Sequence, residues 1–284
     1  MFTNIFATQT TQTTQTIQNK LPLDICYIIA EYAIVPKFID WIDINKLNLH
    51  FLSLNPADGA DYLFETYPNK IDWHYLSENS ADWAIYLLQT NLDKINWICL
   101  SVNSAAIDLL KANPDKIDWN WLSENPAVQV MHLLQANPDR INWNMLSANQ
   151  ADWAIDLLET NPNRINWNRM SGNPAAINLL KANSNNINWT TFSKNSAGID
   201  MLEANLDKIN WQWLSKNPTQ RAMHILKKKV HEIDWDFLSM NPAAIHILEA
   251  NPDKINWNTL AANPAIFKPY RELIKQLALQ LNKM

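Results

Sequence analysis

Three glycines in 284 residues leave almost nothing from which to build a glycine-rich phosphate loop or the primed turns of β-hairpins. The chain therefore favours helices joined by proline turns. Two cysteines, Cys26 and Cys99, lie far apart among apolar neighbours, which argues against a disulfide scaffold and for a reducing compartment. Basic surplus is lacking too. The net charge is −5 and the densest basic run, Lys227 to Lys229, is local, so nothing supplies the stripe that displaces counterions from nucleic acid. No stretch reaches the 18 or so apolar residues of a membrane span, and no basic start precedes an apolar run as in a signal peptide. The expectation is a soluble, intracellular monomer without nucleic-acid or membrane partners. What is plentiful is hydrophobic residues at 47%, with 14 tryptophans and 14 prolines.

The tryptophans are periodic. Ile-Asp/Asn-Trp ends at Trp73, Trp97, Trp119, Trp143, Trp167, Trp189, Trp211, Trp235 and Trp257, at intervals of 22 or 24 residues. Leu47-Asn48-Leu49 opens an earlier, degenerate copy. Within a unit such as Ile117 to Pro126, the Asp or Asn before Trp is an N-cap for a short helix A, with Ile at N′ and Leu at N4 forming a hydrophobic staple. Asn125 caps helix B with Pro126 at N1, and helix B runs on as Ala-Ile-x-Leu-Leu in most copies. Asn-Pro-Asp-Lys then makes a turn with proline second. Longer units carry their two extra residues in the first turn of helix B. Both helices are too short to persist alone, so stability must come from stacking.

This predicts an all-α fold: an α-solenoid of about ten short two-helix repeats over residues 46–265, with N- and C-terminal capping helices. Residues 1–20 form a Thr/Gln-rich tail expected to be disordered, 21–45 an N-terminal helical cap, and 266–284 a C-terminal capping helix. Each repeat Trp is expected in the core, contributing on the order of 5 kcal/mol from roughly 200 Å² at about 25 cal/mol per Å². At helix spacings of about 8–10 Å, ten units predict a rod or arc about 100 Å long.

No catalytic constellation is visible. The six histidines show no HExxH spacing, and no cysteine pair has zinc spacing. His132, His224 and His246 share one polar position of helix B, and the recurring Asp and Ser residues have repeated structural roles. No enzyme activity, cofactor or metal is expected. Function falls to positions that vary between units. Two residues after each Trp stand Tyr75, Cys99, Trp121, Met145, Arg169, Thr191, Trp213, Phe237 and Thr259. These side chains either seal gaps between units or form a ridge for a partner protein, for which aromatics, Met and Arg are the enriched types. A second variable position, in the extra turn of helix B, holds Gly59, Trp83, Gln129, Trp153 and Arg221. Trp83 and Trp153 are expected there as partly exposed contacts.

The unit I-[DN]-W-x-x-L-S-x-N-P-A-x-I-x-L-L-x-x-N-P-D-K resembles the short repeats of proteins from giant amoeba-infecting DNA viruses, over about residues 46–265. That resemblance implies a solenoid and a viral protein, acting on host partners in the infected cytoplasm or packaged in the particle. Leu21 to Tyr32 resembles the opening helix of an F-box. This would imply a ubiquitin-ligase substrate adaptor docking its scaffold through Leu21, Pro22, Ile25, Ile28 and Ile29. The alternative for the same helix is a simple cap. The leading expectation is a non-enzymatic scaffold for protein–protein interaction. A structural particle component is another reading.

Overall fold

A computed structural model describes residues 21–33 and 37–282; the Thr/Gln-rich segment expected to be disordered lies outside them. The described residues divide into two compact units, one from each terminus of the chain and one spanning 35–268. In the first, the helix Leu23–Ala33 packs on the helix Tyr270–Leu281, around buried Cys26, Ala30 and Ala278. Asn282 Nδ2 donates to the Leu21 carbonyl across 2.9 Å.

The second unit holds ten repeats, all helical. Their grammar rests on the caps. Asp72 accepts from the amides of His74 and Tyr75 to start the helix Trp73–Glu78, and Asn96 accepts from Cys99 N–H to start Trp97–Val102. Helix B comes in two forms. In 24-residue units it is a continuous helix, as in Asp82–Thr90 and Val128–Ala136. In 22-residue units a 3-10 turn at Pro174–Ala176 precedes the helix Ile177–Ala182. The Asn-Pro-Asp-Lys turns are single 3-10 turns, such as Pro114–Lys116.

Two hydrogen-bond relays join neighbours. Ser77 Oγ donates to the Trp73 carbonyl at 2.7 Å and accepts from the Asn96 amide of the next unit at 3.0 Å. The second relay is an asparagine ladder through Asn55, Asn79, Asn103, Asn125, Asn149, Asn173, Asn195, Asn217, Asn241 and Asn263, all buried. Each side-chain amide reaches back to two carbonyls of the preceding unit: Asn149 to Ser123 (3.0 Å) and Asn125 (2.8 Å), for example. Its oxygen accepts from an amide two residues on, Ala151 in this case. The ladder leaves three polar groups per unit satisfied where no water reaches.

The ladder has no end. Asn55 Nδ2 donates to the carbonyls of Ala261 (2.9 Å) and Asn263 (3.0 Å), so the first unit succeeds the tenth as every other unit succeeds its predecessor. Side chains repeat the point: Lys46 sits 5.1 Å over Trp257 just as Lys94, Arg140, Arg164 and Lys208 sit over the Trp one unit back. Residues 37–39 pair antiparallel with 266–268, through Ile39 N–H to Ile266 O and Lys268 N–H to Lys37 O, and Phe38 stacks on Phe267 at 4.7 Å. One relay skips the junction, because Ala261 replaces the serine. The solenoid is a closed ring. The expected rod or arc is overturned.

A second correction concerns the core. The residue three after each Trp is fully buried throughout, from Leu52 to Leu260 with Met170 and Phe192 among them, as are helix-B leucines such as Leu88, Leu110 and Leu180. The repeat Trp rings are only half-buried against that core. Each is long enough to present one face to the interior while a turn Lys or Arg of the next unit covers its other face in five of the ten junctions.

Candidate functional site on the inner face of the ring

Repeat units are numbered 1 to 10 by their ladder asparagine, Asn55 to Asn263. On the outside of a ring, side chains of alternate units diverge, so contacts that skip a unit mark the inside. Glu124 of unit 4 places Oε2 3.5 Å from Arg169 of unit 6. Burial pushes the Glu124 carboxyl up, against the pull of Arg169 and of Lys194 in unit 7. The positions two and five after each Trp therefore line the inner face. By contrast, Arg221 bridges only to Asp200 and Glu203 of the adjacent unit.

The first variable set is thus gathered along one surface. Trp121 is exposed, and Tyr75, Met145, Arg169, Trp213 and Phe237 are half-buried there. Tyr75 stacks near Phe51 at 5.0 Å, and Trp213 near Phe237 at 6.1 Å. These rings fill gaps between units and remain partly exposed. Units 6 to 8 add positive charge. Lys194 lies 5.1 Å over Trp213, and Lys216 lies 5.0 Å over Trp213 and 3.9 Å over Phe237. Burial first, then Lys194, push the Lys216 ammonium down, against the pull of Asp234. Space is tight here: a Cβ on Gly172 would come within 2.5 Å of Lys194 Cε.

Trp83 and Trp153 do not join this surface. Both pack on the core, Trp83 at 5.9 Å from Phe64, and their indole Nε1 atoms are buried without a hydrogen-bond partner. On the terminal unit, Leu21, Pro22, Ile25, Ile28 and Ile29 are exposed. Among the described residues 37–46 the only helical element is the turn Ile44–Lys46.

One cluster is invisible in the sequence alone. His74, Glu78 and Cys99 have donor atoms within 4.8 Å of one another, the only such group among the described residues. His74 and Glu78 are one turn apart on the helix Trp73–Glu78, and Cys99 comes from the next unit. Cys99 Sγ lies 3.6 and 3.7 Å from the two ring nitrogens of His74. The thiol is pushed up to about 12 by burial, with a hydrogen bond and the charge of Glu78 adding to it. Only the register of neighbouring units reveals the cluster; 25 residues separate His74 from Cys99.

Residues 71–263, more than half of the sequence, match the family described as periplasmic copper-binding protein (NosD). The chain belongs to this family. The matched span runs from the Ile71-Asp72-Trp73 that opens unit 2 to the last ladder asparagine, so the repeat itself carries the match. No curated protein and no solved structure matches the chain. The family's description makes copper the ion to test against these residues. Imidazole and thiolate are ligands that suit copper, and a carboxylate completes the set. His74, Glu78 and Cys99 fit by their chemistry. Among the described residues, no helix is long and apolar enough to cross a membrane.

Proposed function

We propose that the protein is a non-enzymatic repeat scaffold that holds a protein partner against the inner face of its ring. The observation that carries this reading is the convergence of the variable positions. Residues repeated in every unit are spent on caps, relays and core, while Trp121, Met145, Arg169, Trp213 and Phe237 differ from unit to unit and share one surface. Lys194 and Lys216 lie over aromatic rings beside them, and among the described residues no carboxylate forms an ion pair with either, so the favoured partner presents an acidic segment with apolar side chains. The likeness of the unit to repeats of giant-virus proteins supports a partner in an infected host cell, whereas the family description supports a periplasmic setting.

The test is proximity labelling with the wild-type chain and with a Lys194→Glu/Lys216→Glu variant. A partner labelled by the wild type and lost from the folded variant is expected. Identical labelling by both would overturn the reading.

A second reading has its own observation. The exposed Ile25, Ile28 and Ile29, with Leu21 just before the helix, offer an apolar surface of the kind a ligase adaptor docks through. Changing Leu21 and Pro22 to charged residues should then abolish scaffold binding and leave the ring intact.

A further inference from the structure

The cluster at the junction of units 2 and 3 brings three variable positions together. One residue after Trp, units 4 to 6 carry Asn120, Asn144 and Asn168; unit 2 carries His74, and His50 takes the same place in unit 1. Those asparagines have a structural use, since Asn142 donates to Asn120 Oδ1 at 2.8 Å and Asn166 does the same to Asn144. His74 keeps that bond, accepting at Nδ1 from Asn96 across 2.8 Å, and adds a second nitrogen that the relay does not need. Two residues after Trp, the next unit supplies Cys99, the single thiol of the ring. Five after Trp, Glu78 stands one helical turn from His74 on the same face. At no other junction do these three positions hold three metal-binding side chains; the next pair of units offers Ile98, Val102 and Trp121.

We propose that His74, Glu78 and Cys99 form a binding site for one thiophilic cation, copper(I) foremost, at the junction of units 2 and 3. This goes beyond the partner-binding reading and does not depend on it. Nitrogen and sulfur ligands of a single tetrahedral ion, with bonds of about 2.0 and 2.3 Å, sit roughly 3.5 Å apart. The Cys99 sulfur and the His74 nitrogens already stand at 3.6 and 3.7 Å. The ligands are held by different units, so an ion would tie helix Trp73–Glu78 to helix Trp97–Val102. Binding at Nε2 moves the imidazole proton to Nδ1, which ends the bond accepted from Asn96, and replaces the thiol proton, which is released to solvent. The same spacing also suits a plain S–H to nitrogen hydrogen bond, and the experiment must separate the two.

The full chain, reduced and anaerobic, is titrated with copper(I) against a chromophoric chelator, and in a parallel arm with zinc(II). The expected result is one equivalent of copper(I) with a sulfur-to-metal absorption band in the ultraviolet. His74→Asn restores the residue found in other units and so preserves the fold. It should weaken binding by at least about 100-fold, beyond the ~10–100-fold typical of outer-shell changes. Cys99→Ser should abolish the absorption band, and Cys26→Ser should leave both readouts unchanged. Tight binding of zinc in preference to copper would overturn the choice of ion while supporting the site. Binding that survives His74→Asn and Cys99→Ser, or no binding of either ion by the wild type, would overturn the site.

Discussion

Ring closure makes an end-to-end comparison decisive. Asn149→Ala removes two donors, to Ser123 O and Asn125 O, and the acceptor for Ala151 N–H, all at a fully buried position. Three buried groups then lose partners at about 1–3 kcal/mol each, for a total of roughly 3–6 kcal/mol after partial relaxation. Asn55→Ala removes the same three bonds, to Ala261 O, Asn263 O and Ala57 N–H. In a closed ring the two substitutions should cost the same. In an open stack Asn55 would belong to a terminal unit, which frays locally at little global cost. Long repeat arrays do not always unfold in two states, so hydrogen exchange is the sharper assay. The amides of Ala57 and Ala151 should be protected to a similar degree in the wild type, and each should lose protection in its own variant. An Ala57 amide that exchanges freely in the wild type, beside a protected Ala151, would refute closure.

Three further outcomes are expected. Trp143→Ala should cost about 2 kcal/mol in urea denaturation, less than the ~3–5 kcal/mol of a fully buried aromatic, because its ring is half-exposed under Arg164. Gly198→Ala should cost about 1–3 kcal/mol, since its Cβ would overlap the ring of fully buried Phe192, and adding Phe192→Leu should restore most of the loss. Glu124 is held above the usual carboxylate range, so the folded state binds its proton more tightly than the unfolded chain; stability should fall as pH rises through that range. Glu124→Gln should flatten that part of the stability–pH curve, and an unchanged slope would refute the assignment.

The helices were legible because their signals are local. Asp72 and Asn96 each cap a helix that starts at the very next residue, and Asn173 caps the 3-10 turn that leads into helix B. The two extra residues of the longer units were misplaced: helix B spans nine residues in both forms, Asp82–Thr90 and residues 174–182, and the extra pair precedes it, so Asn125 bonds the Ala127 amide while Pro126 stays outside the helix that starts at Val128. Closure was not legible, because it is the sum of small rotations at every junction, each set by packing between units. Asn55 follows a degenerate copy that lacks the Trp, yet nothing in that copy says that its neighbour is the tenth unit. The Trp rings misled because their apolar area suggested a core role, whereas Leu, Ser and Asn fill the interior and Trp shields it. The residues two after each Trp vary in the sequence, yet only the Glu124–Arg169 contact assigns them to the inside. His74 and Cys99 each looked ordinary alone.

The unbroken asparagine ladder also constrains how such a gene can change. An open solenoid tolerates gain or loss of a repeat at either end, since only one interface is added or removed. Here ten units each turn the backbone by roughly 36°, and inserting an eleventh would require every junction to relax to about 33° at once. Unequal recombination between these near-identical repeats would therefore be purged unless it conserved the count, so copy number should be fixed among descendants even where individual repeats drift.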